Sequence, residues 1–479
     1  MAEAYKHGTY QKEDTTNLIT PIVLPYGYFI VGTAPMNQVS EENRTVNVVQ
    51  RIATPAQAAT YFGGTYDLDF SISQAIDVFF NLYGIAPIYA VNIVDITKHK
   101  TAETEAAVEV NNGEFTIKNH KVIIDSLVVK DNTTSLEITD YITAWTEEGL
   151  VVYLTGATKV DLTYDVIDLS KITKDDAIGG YDLNTMQRKG LELLDDVFMK
   201  FQELPAFVDL PEYSGDSEVA AIMETKSKNI NGGMFEAIPL INAPLDKKYD
   251  EIPVWKNDNN ITDEDMAVLY GGIKLAGKVY HHSIHYAALS LLTDNDNGGV
   301  PSITPSNKAY KMDALVWDNG TELVEIRLDR EQEANFLNRN GVITAINFLG
   351  WRCWGSETAK NPQATDPKDK FLYTRRMFKW IGNELVITYF NTVDSKFDLK
   401  LSETVMTSIN IRLLGLIGSG DLLGGEVLIS PEDNTILSLE NGDISFRINL
   451  GIVPHMKSAT FIKQIDINYL SSFLNSLTG

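Results

Sequence analysis

The sequence predicts a mixed α/β, multidomain fold, and three stretches of the chain indicate it. Tyr28 to Val31 and Ile88 to Val94 are apolar runs that suit buried strands, and an apolar stripe of helical spacing lies between them. Residues 96–175 have the texture of short alternating strands, and helical patterns return from residue 176 onward. These patterns predict a parallel α/β core interrupted by a small inserted β-sandwich.

The first helix is predicted over residues 71–83, with Ser71 as its candidate N-cap. Its apolar residues recur at i, i+3, i+4, i+7, i+8 and i+11, and they are Ile72, Ala75, Ile76, Phe79, Phe80 and Tyr83. A strand, a helix and a second strand in this order are the signature of a βαβ unit, so the first two strands are expected to be parallel.

Later elements are predicted in the same way. The sandwich strands are expected at Val122 to Ile124, Leu127 to Val129, Leu136 to Ile138, Leu150 to Leu154 and Val160 to Val166. The second α/β region has a helix with Leu191, Leu194, Val197, Phe198 and Phe201, a strand at Ala206 to Leu210, a helix from Val219 and a strand at Phe235 to Leu240. Polar loops at 244–265 and 294–308 flank a helix predicted from about Asp263 to Leu292.

The last hundred residues predict one strong helix followed by strands. Ser402 is the candidate cap of the helix, whose apolar face carries Val405, Met406, Ile409, Leu413 and Leu416. The strands are expected at Glu426 to Ile429, Ile444 to Leu450 and Thr460 to Ile467. The predicted organisation is an N-terminal arm at 1–20, the first part of the α/β core at 21–95, the sandwich at 96–175, a second α/β domain at 176–370 and a C-terminal domain at 371–479.

The charge balance and the cysteine count exclude several classes of protein. The chain has 479 residues, and 40 Lys and Arg against 65 Asp and Glu leave a formal charge of −25. Nucleic acid and anionic membrane surfaces repel so acidic a chain, so neither is expected as a partner. The one cysteine, Cys353, allows no intramolecular disulfide. The longest apolar run, Leu18 to Val31, is broken by prolines and is shorter than the ~20 residues of a membrane span.

Three segments imitate ligand-binding motifs without completing them. Gly272 to Val279 fits GxxxxGK, but Val279 stands where a Mg²⁺-binding hydroxyl belongs, and the upstream segment reads as helix where the motif needs a strand. Asp294 to Gly299 resembles the start of a calcium loop, but Pro305 occupies the twelfth position in place of Glu. Gly418-Ser-Gly420 imitates a dinucleotide fingerprint but follows a helix, so a helix C-cap explains it better.

The histidines give no complete catalytic or metal-binding pattern. His281 and His285 share a face of the predicted helix, and HxxxH can bind zinc, but His282 replaces the Glu of HExxH. Three partly exposed imidazoles are therefore the expected arrangement. Asp209 and Ser214 follow a predicted strand of an α/β region, which leaves a Ser–His–Asp triad open, although no GxSxG elbow supports it. We therefore predict no catalytic, metal-binding or cofactor-binding site.

A set of short sequence blocks, spread in order along nearly the whole chain, carries a family resemblance. The blocks are Tyr28-Phe-Ile-Val-Gly-Thr-Ala-Pro35, Thr54-Pro-Ala-Gln-Ala58, Tyr61-Phe-Gly63, Ile88-Tyr-Ala-Val-Asn92, Ile178-Gly-Gly-Tyr-Asp182, Phe336-Leu-Asn338, Gly341-Val-Ile343, Gly350-Trp-Arg-Cys-Trp-Gly355, Phe371 to Arg376, Leu423-Gly-Gly425 and Phe461 to Tyr469. Their order resembles that of the tail sheath proteins of contractile bacteriophage tails and phage-tail-like bacteriocins. In that family, Phe371 to Arg376 corresponds to a strand with paired arginines.

The resemblance implies a structural protein and not an enzyme. Sheath subunits stack as hexameric rings around an inner tail tube and contract from a metastable extended state, driving the tube through the target envelope. The implied fold has an α/β core built from N- and C-terminal parts, an inserted sandwich, an inserted subtilisin-like domain at 176–370 and extended terminal arms. The implied partners are further copies, the tail tube protein, and baseplate and tail terminator proteins, in a virion tail assembled in the bacterial host cytoplasm.

Two alternative functions remain open from the sequence. The first is an α/β hydrolase with an accessory β domain, which predicts turnover that depends on Asp209 or a clustered histidine. The second is a non-contractile surface binding protein that uses the sandwich for recognition, which predicts a monomer or a closed oligomer.

The resemblance also implies that strand addition joins the subunits, with residues 5–20 as an N-terminal arm. The donated C-terminal strand is expected to contain Phe461, Ile462, Lys463, Gln464, Ile465, Asp466 and Ile467. The receiving hairpin is expected to contain Val427, Leu428, Ile429, Phe446 and Ile448.

The acidic charge is uneven along the chain, and this suggests an orientation toward the tube. Residues 96–175 carry a formal charge of −6 and residues 176–370 carry −12, whereas residues 371–479 carry only −2. We therefore expect the two acidic regions to face outward and the C-terminal region to face the tube, with Lys396, Lys400 and Arg412 as tube-facing residues.

Overall fold

The computed structural model describes residues 18–478, which form twenty-three strands and twelve α-helices. The chain divides into two compact units, the first reaching to Arg412 and the second beginning at Leu413. The strands are β1 (Tyr26–Gly32), β2 (Val49–Ile52), β3 (Ile88–Asn92), β4 (Lys100–Glu109), β5 (Glu114–Ile117), β6 (Val122–Asp131), β7 (Glu137–Ile138), β8 (Tyr141–Thr146), β9 (Gly149–Leu154), β10 (Lys159–Ile167), β11 (Gly180–Asp182), β12 (Gln187–Lys189), β13 (Leu204–Asp209), β14 (Ile238–Asn242), β15 (Ala267–Leu269), β16 (Gly272–Leu275), β17 (Lys278–Tyr280), β18 (Ala314–Asp318), β19 (Leu323–Ile326), β20 (Val342–Asn347), β21 (Trp351–Trp354), β22 (Leu422–Leu428) and β23 (Arg447–Ile452).

The α-helices lie in connections between these strands and after β23, and none lies between β4 and β10. They are α1 (Pro55–Phe62), α2 (Ser71–Ile76), α3 (Lys174–Ile178), α4 (Leu194–Phe201), α5 (Ser217–Lys228), α6 (Ile252–Asp258), α7 (His282–Asp296), α8 (Asn335–Arg339), α9 (Leu372–Tyr389), α10 (Leu399–Ser419), α11 (Ile436–Asn441) and α12 (Ile467–Thr478). Among the described residues, no helix combines the length and the apolarity that crossing a bilayer requires.

An eight-stranded sheet in the order β2-β3-β1-β13-β14-β15-β20-β21 forms the centre of the first unit. The six strands from β3 to β20 are parallel, and the two edge strands pair antiparallel to their neighbours. Strand β1 lies between β3 and β13, and its residues Tyr28 to Val31 are fully buried. This burial on both faces explains why β1 reads as a continuous apolar run.

The predicted βαβ unit is confirmed, with a correction at the helix cap. Strands β1 and β3 are parallel, and α2 continues as a π-helical segment over Asp77–Tyr83. Ser71 is the first residue of the helix and does not cap it, because its hydroxyl accepts the backbone N–H of Thr33 at 3.0 Å. The cap position belongs to Phe70.

The central sheet crosses the predicted boundary between the first α/β part and the second α/β domain. Strand β1 pairs with β13 over Phe29↔Val208 and Ile30↔Asp209, so residues 21–95 and 204–354 share one sheet and one apolar core. Local periodicity detects strands but does not tell which strands become neighbours. The predicted boundary between the two α/β regions therefore runs through a single sheet.

Two smaller sheets between residues 100 and 167 enclose a separate apolar cluster. Their orders are β4-β10-β6-β7 and β5-β9-β8, and they bury Phe115, Val129, Val152 and Leu162 between them. The alternating burial along β10 matches the alternation in its sequence. This region touches the central-sheet region through Asn37, whose amide donates to the carbonyls of His120 and Val122 at 2.8 Å each.

The helix predicted from Asp263 to Leu292 is wrong over its first half. Residues 267–269 form β15 in the middle of the central sheet, and a hairpin of β16 and β17 follows before α7 begins at His282. A short apolar run is compatible with a buried strand as well as with a helix, and periodicity alone does not separate the two. The GxxxxGK segment is therefore a hairpin whose two-residue turn, Ala276–Gly277, has both φ angles positive.

Other elements differ from their predicted forms as well. Residue 252 begins α6 inside the predicted loop 244–265, and Asp294 lies in the last turn of α7. The segment Phe371 to Arg376 enters helix α9 and is not a strand. Ser402 lies inside α10, where the carboxylate of Asp398 accepts the N–H of Leu401 at 2.8 Å and so caps the helix.

The second unit contains the end of α10, a β-hairpin and two further helices. Strands β22 and β23 pair antiparallel, as predicted, and α11 lies in the connection between them. Gly420, with φ of +85°, follows the last residue of α10, which confirms the C-cap interpretation of the glycine cluster. The strand predicted at Thr460 to Ile467 is absent: residues 453–466 have no regular secondary structure, and α12 begins at Ile467. An isolated strand has no hydrogen-bonding partner, so it does not form in a single chain.

Candidate assembly interface

The hairpin of the second unit presents two open strand edges. Within the described residues, β22 and β23 pair only with each other. One apolar side of the hairpin rests on the end of α10, where Leu413 lies against Gly425 and is buried together with Leu416, Leu422 and Val427. In the part of the chain that the structure describes, no third strand joins this ribbon, and the edge of such a ribbon is a template for an added strand.

The predicted acceptor residues fall on or beside this hairpin. Val427 and Leu428 end β22, Ile448 lies in β23, and Ile429 and Phe446 are the residues just outside the two strands. Val427 is buried and pairs with Ile448, whereas Leu428 is exposed and pairs with Arg447. The structure therefore brings these five residues together.

The predicted donor residues lie in the irregular segment before α12. Phe461, Ile462 and Ile465 have exposed fractions of 86%, 90% and 83%. Lys463, Gln464 and Asp466 are exposed as well. Ile467, the last predicted strand residue, is the first residue of α12. Exposed aliphatic and aromatic side chains at this density, on a segment without regular secondary structure, are unusual for a monomer. They indicate a surface that is covered in an assembly.

The end of the predicted N-terminal arm and the residues just after it are anchored to two helices of the first unit. The N–H of Ile22 donates to the hydroxyl of Thr388 on α9 at 2.9 Å, and the N–H of Ile19 donates to the hydroxyl of Ser408 on α10 at 3.0 Å. The rest of the arm, residues 5–17, lies outside the described residues.

The three predicted tube-facing residues do not form one cluster. Lys396 precedes α10 and Lys400 lies in its first turn, and both are exposed. Arg412 lies about 18 Å further along the helix. Its guanidinium binds the carboxylate of Glu384 with N···O distances of 2.6 and 2.9 Å. Arg412 therefore joins α10 to α9 and is less available to a partner than the two lysines.

A buried ion network on α9 was not predicted from the sequence. Arg375 and Lys379 lie 2.7 and 3.1 Å from the carboxylate of Asp265, and Arg376 pairs with Asp294 while its guanidinium lies over the ring of Phe207. These contacts fix α9, which carries the anchor of the N-terminal segment, to the central-sheet region. The sequence signal is the spacing of three cations at i, i+1 and i+4. Asp369, 3.5 Å from Arg375, is close in the sequence, but Asp265 and Asp294 lie 110 and 82 residues before Arg375 and Arg376.

The position that holds the active site in many α/β proteins is filled here by mutual hydrogen bonds. Strands β1 and β13 are neighbours at the point where the strand order reverses, beside which ligands commonly bind. Tyr28 donates to Asp209 at 2.6 Å, and Thr33 donates to Glu212 at 2.7 Å. Burial raises the pKa of Asp209 to about 7 and also raises the pKa of Glu212. Ser214 accepts the N–H of Asn242 at 3.0 Å.

Two of the three clustered histidines, His282 and His285, are buried in the core, which corrects the prediction of partly exposed imidazoles, whereas His281 is partly exposed as predicted. His281 is the N-cap residue of α7, so it shares no helical face with His285. His282 contacts the carbonyl of Tyr270 at 3.0 Å and the hydroxyl of Tyr310 at 3.1 Å, and His285 contacts the hydroxyl of Tyr83 at 3.4 Å. Burial lowers the pKa of His282 to about 4 and that of His285 to about 3, so both are neutral.

Neither a catalytic triad nor a metal site assembles from these groups. Asp209 is bound by a tyrosine, and the two buried imidazoles are bound to tyrosines and a carbonyl. Over residues 18–478, His, Cys, Asp and Glu side chains form no cluster that suits a metal ion.

Sequence comparison connects the whole chain to phage sheath proteins. No protein-family model matches. The chain is 25% identical over 493 aligned positions to the tail sheath protein of Burkholderia phage BcepMu, covering 98% of both chains. It is 30% identical over 151 positions to the major tail sheath protein of Serratia phage KSP20, covering 31% of this chain and 37% of that protein.

Structure comparison finds the same fold in solved sheath assemblies. The sheath of the extracellular contractile injection system PVC, in its contracted state, matches with a TM-score of 0.58 and 11% identity, covering 98% of this chain and all of that one. A chain of the contracted anti-feeding prophage baseplate matches with a TM-score of 0.56 and 12% identity, covering 96% and 99%. Over its full length the chain is therefore similar in sequence to a phage tail sheath protein, and it has the fold of the sheath subunits of contractile injection systems.

Proposed function

We propose that copies of this subunit polymerise as stacked hexameric rings around a tail tube and contract from a metastable extended state, driving the tube through the target envelope. The partners are further copies, the tail tube protein, and baseplate and tail terminator proteins. The particle is a virion tail assembled in the bacterial host cytoplasm. The phage sheath relatives and the sheath and baseplate assemblies that share the fold support this proposal.

The observation that carries the proposal is that one unit contains both a two-stranded hairpin, β22–β23, and an exposed apolar segment, residues 461–467. Residues 461–467 of one copy add to the hairpin β22–β23 of a second copy, where backbone hydrogen bonds pair the edge. Because each copy is both donor and acceptor at different places, the contact is heterologous and builds an open filament.

The terminal arm and the acidic insertion take further roles in the assembly. In this proposal the N-terminal arm, residues 5–20, joins another copy, and the hydrogen bonds of Ile19 and Ile22 hold the end of the arm and the residues after it on their own subunit. Residues 96–175 face outward, because they are inserted between β3 and α3 and carry a formal charge of −6. The region 176–370 is the subtilisin-like part, which here shares the central sheet with residues 21–95.

Lys396 and Lys400 face the tail tube in this proposal. Both side chains are exposed, and they lie in the stretch of the chain with the least net negative charge. Arg412 supports this surface by holding α10 against α9. Contraction needs no nucleotide, because an extended state held by a kinetic barrier stores its free energy in the subunit contacts.

Truncation of either terminus tests the arm model. Deletion of residues 1–20 or 460–479 is expected to leave a folded, soluble subunit that no longer forms tubes, as judged by circular dichroism and negative-stain microscopy. Tubes of normal length from either truncation would contradict strand addition.

Proline substitutions test strand addition without shortening the chain. Neighbouring N–H groups of a strand point to opposite sides, so either Lys463→Pro or Gln464→Pro removes an N–H directed at the receiving hairpin. One of the two is expected to abolish tube formation. Ser458→Pro, in the irregular segment before the proposed strand, is the matched control and is expected to assemble normally.

A further inference from the structure

Helix α12 is amphipathic and carries no charged residue. At 100° per residue, Tyr469, Leu470, Phe473 and Leu477 fall on one half of the helix, whereas asparagine and serine side chains occupy the other half. The exposed fractions of these four apolar residues lie between 60% and 78%. A helix of this kind is stable in water only when another surface covers its apolar half.

A second exposed apolar surface lies in the same unit, on helix α11. Ile436, Leu437 and Leu439, here named the α11 patch, have exposed fractions of 80%, 67% and 45%. The patch is held in a fixed position. The side chain of Asn434 donates to the carbonyls of Ser430 and Ser445 and accepts the N–H of Ser445, and the hydroxyl of Thr435 caps the helix.

We propose that the apolar half of α12 from one copy docks on the α11 patch of a second copy. This proposal rests on the strand addition proposed above and fixes the direction of the added strand. Helix α11 lies at one end of the hairpin, next to the pair Leu428↔Arg447, whereas the pair Leu422↔Ile452 lies at the other end. Helix α12 follows the donated segment directly, so the direction of that segment decides which end α12 reaches.

Antiparallel addition to β23 places α12 at the α11 patch. Strand β23 runs from Arg447 to Ile452, so an antiparallel donor ends beside Arg447. Antiparallel pairs are two to three times as common as parallel ones. In the register that places Asp466 opposite Arg447, the donor positions 465 and 461 fall opposite Ile448 and Ile452. The guanidinium of Arg447 already binds the carboxylate of Asp433, so the apolar pairs and not the charges favour this register.

The composition of α12 favours a second copy over a lipid surface. Helices that bind membrane surfaces usually carry Lys or Arg on the polar face, and α12 has neither. The α11 patch is apolar and equally exposed on every copy, so each helix has one receiving surface in an open filament. Vesicle binding therefore serves as an outcome of the test.

Disulfide trapping tests the proposal in the full chain. Cys353 is fully buried, so it leaves a clean background for engineered cysteines. Leu437→Cys in one preparation and Phe473→Cys in another are mixed, assembled into tubes and oxidised. We expect a covalent dimer of the two variants as the main product of oxidation. Leu423→Cys, which is 65% exposed at the opposite end of the hairpin, replaces Leu437→Cys as the matched control and is expected to give less than a tenth of that yield.

The outcomes separate this proposal from strand addition itself. Trapping at position 423 and not at position 437, in normal tubes, would overturn the α12 docking while leaving strand addition intact. A disulfide that forms only within one chain, in the variant that combines Leu437→Cys and Phe473→Cys, would also overturn the α12 docking. Binding of the wild-type protein through Phe473 to vesicles of neutral and anionic lipid would overturn it as well. Failure of wild-type protein to form any tube would contradict the proposed assembly and this docking together.

Discussion

Arg412 on α10 and Glu384 on α9 form a two-pronged ion pair, with N···O distances of 2.6 and 2.9 Å. The guanidinium also lies 5.3 Å from the centre of the Trp380 ring, and Glu384 is buried. The pair therefore fixes the two helices whose hydroxyls, on Thr388 and Ser408, hold the N-terminal segment.

Charge reversal at Arg412 is expected to destabilise the subunit. Arg412→Glu places two carboxylates together and leaves Glu384 buried without its cation, which costs about 3 kcal/mol of unfolding free energy, the lower end for a broken buried pair, because Arg412 is partly exposed. Urea unfolding measures the loss. The double variant Glu384→Arg with Arg412→Glu is expected to recover part of it, and no recovery would show that geometry and not charge holds the helices.

Charge reversal at Lys396 and Lys400 is expected to leave the stability of the subunit nearly unchanged and to weaken its binding to the tail tube. Both side chains are exposed, so Lys396→Glu with Lys400→Glu changes the melting temperature little. Sedimentation with purified tail tubes is expected to show weaker binding, with the difference shrinking as salt rises to 0.5 M, because salt screens exposed charges. Lys130→Glu, at an exposed lysine of β6, is the control. An equal loss with the control would contradict a tube-facing role.

Local patterns in the sequence predicted the elements whose stability is local. The apolar run in β1 and the stripe over residues 71–83 became a strand and a helix of one βαβ unit, and the hairpin β22–β23 formed as expected. The apolar run of β15 is predicted as part of a helix and forms a strand, because a buried strand and one turn of a buried helix have the same composition.

Features that depend on distant partners escaped prediction. Asp265 and Arg375 are 110 residues apart, so no spacing rule joins them into the network that fixes α9. The family resemblance implies a strand at Phe371 to Arg376, but this segment leads into helix α9, which carries the cations of the network. The donor segment 460–466 has the sequence of a strand but lacks a partner edge within one chain, so its predicted pairing stays a prediction for the assembly.

Removal of the central carboxylate of the α9 network is expected to be costly and to change the acid stability. Burial acts to raise the pKa of Asp265, but Arg375 and Lys379 outweigh it, and the pKa lies below its ordinary value of 3.8. A depressed folded pKa contributes stability above the unfolded pKa, and that stability is lost as the pH falls through about 4 and below. Asp265→Asn is therefore expected to lose about 3 kcal/mol at pH 7.

The acid dependence distinguishes the ion network from simple packing. In urea unfolding between pH 3 and pH 7, the wild-type protein and Asp265→Asn are expected to converge toward the acid end. Asp466→Asn, in the exposed segment before α12, provides the matched control and should follow the wild-type curve. A constant gap between Asp265→Asn and wild type across this range would show that the carboxylate acts by shape alone.

The buried carboxyl at the switch point predicts the opposite pH dependence. Burial raises the pKa of Asp209 from its ordinary 3.8 to about 7, although the hydrogen bond from Tyr28 acts to lower it. A raised folded pKa means that the folded state holds a proton that the unfolded chain has released, so stability falls as the pH rises from about 4 to 7. A difference of about three in pKa between the folded and unfolded states corresponds to a loss of the order of 4 kcal/mol in unfolding free energy.

Asp209→Asn removes this titration while its amide oxygen still accepts the hydrogen bond from Tyr28. The unfolding free energy of the variant is expected to gain on the wild type between pH 4 and pH 7 and then to keep a constant lead, measured by urea titration at each pH. Asp140→Asn, at an exposed position beside β8, is the control and should track the wild type. If the unfolding free energies of Asp209→Asn and wild type run parallel across this pH range, Asp209 is ionised in the folded subunit throughout. The inference that Asp209 is neutral while it accepts the hydrogen bond from Tyr28 would then be wrong.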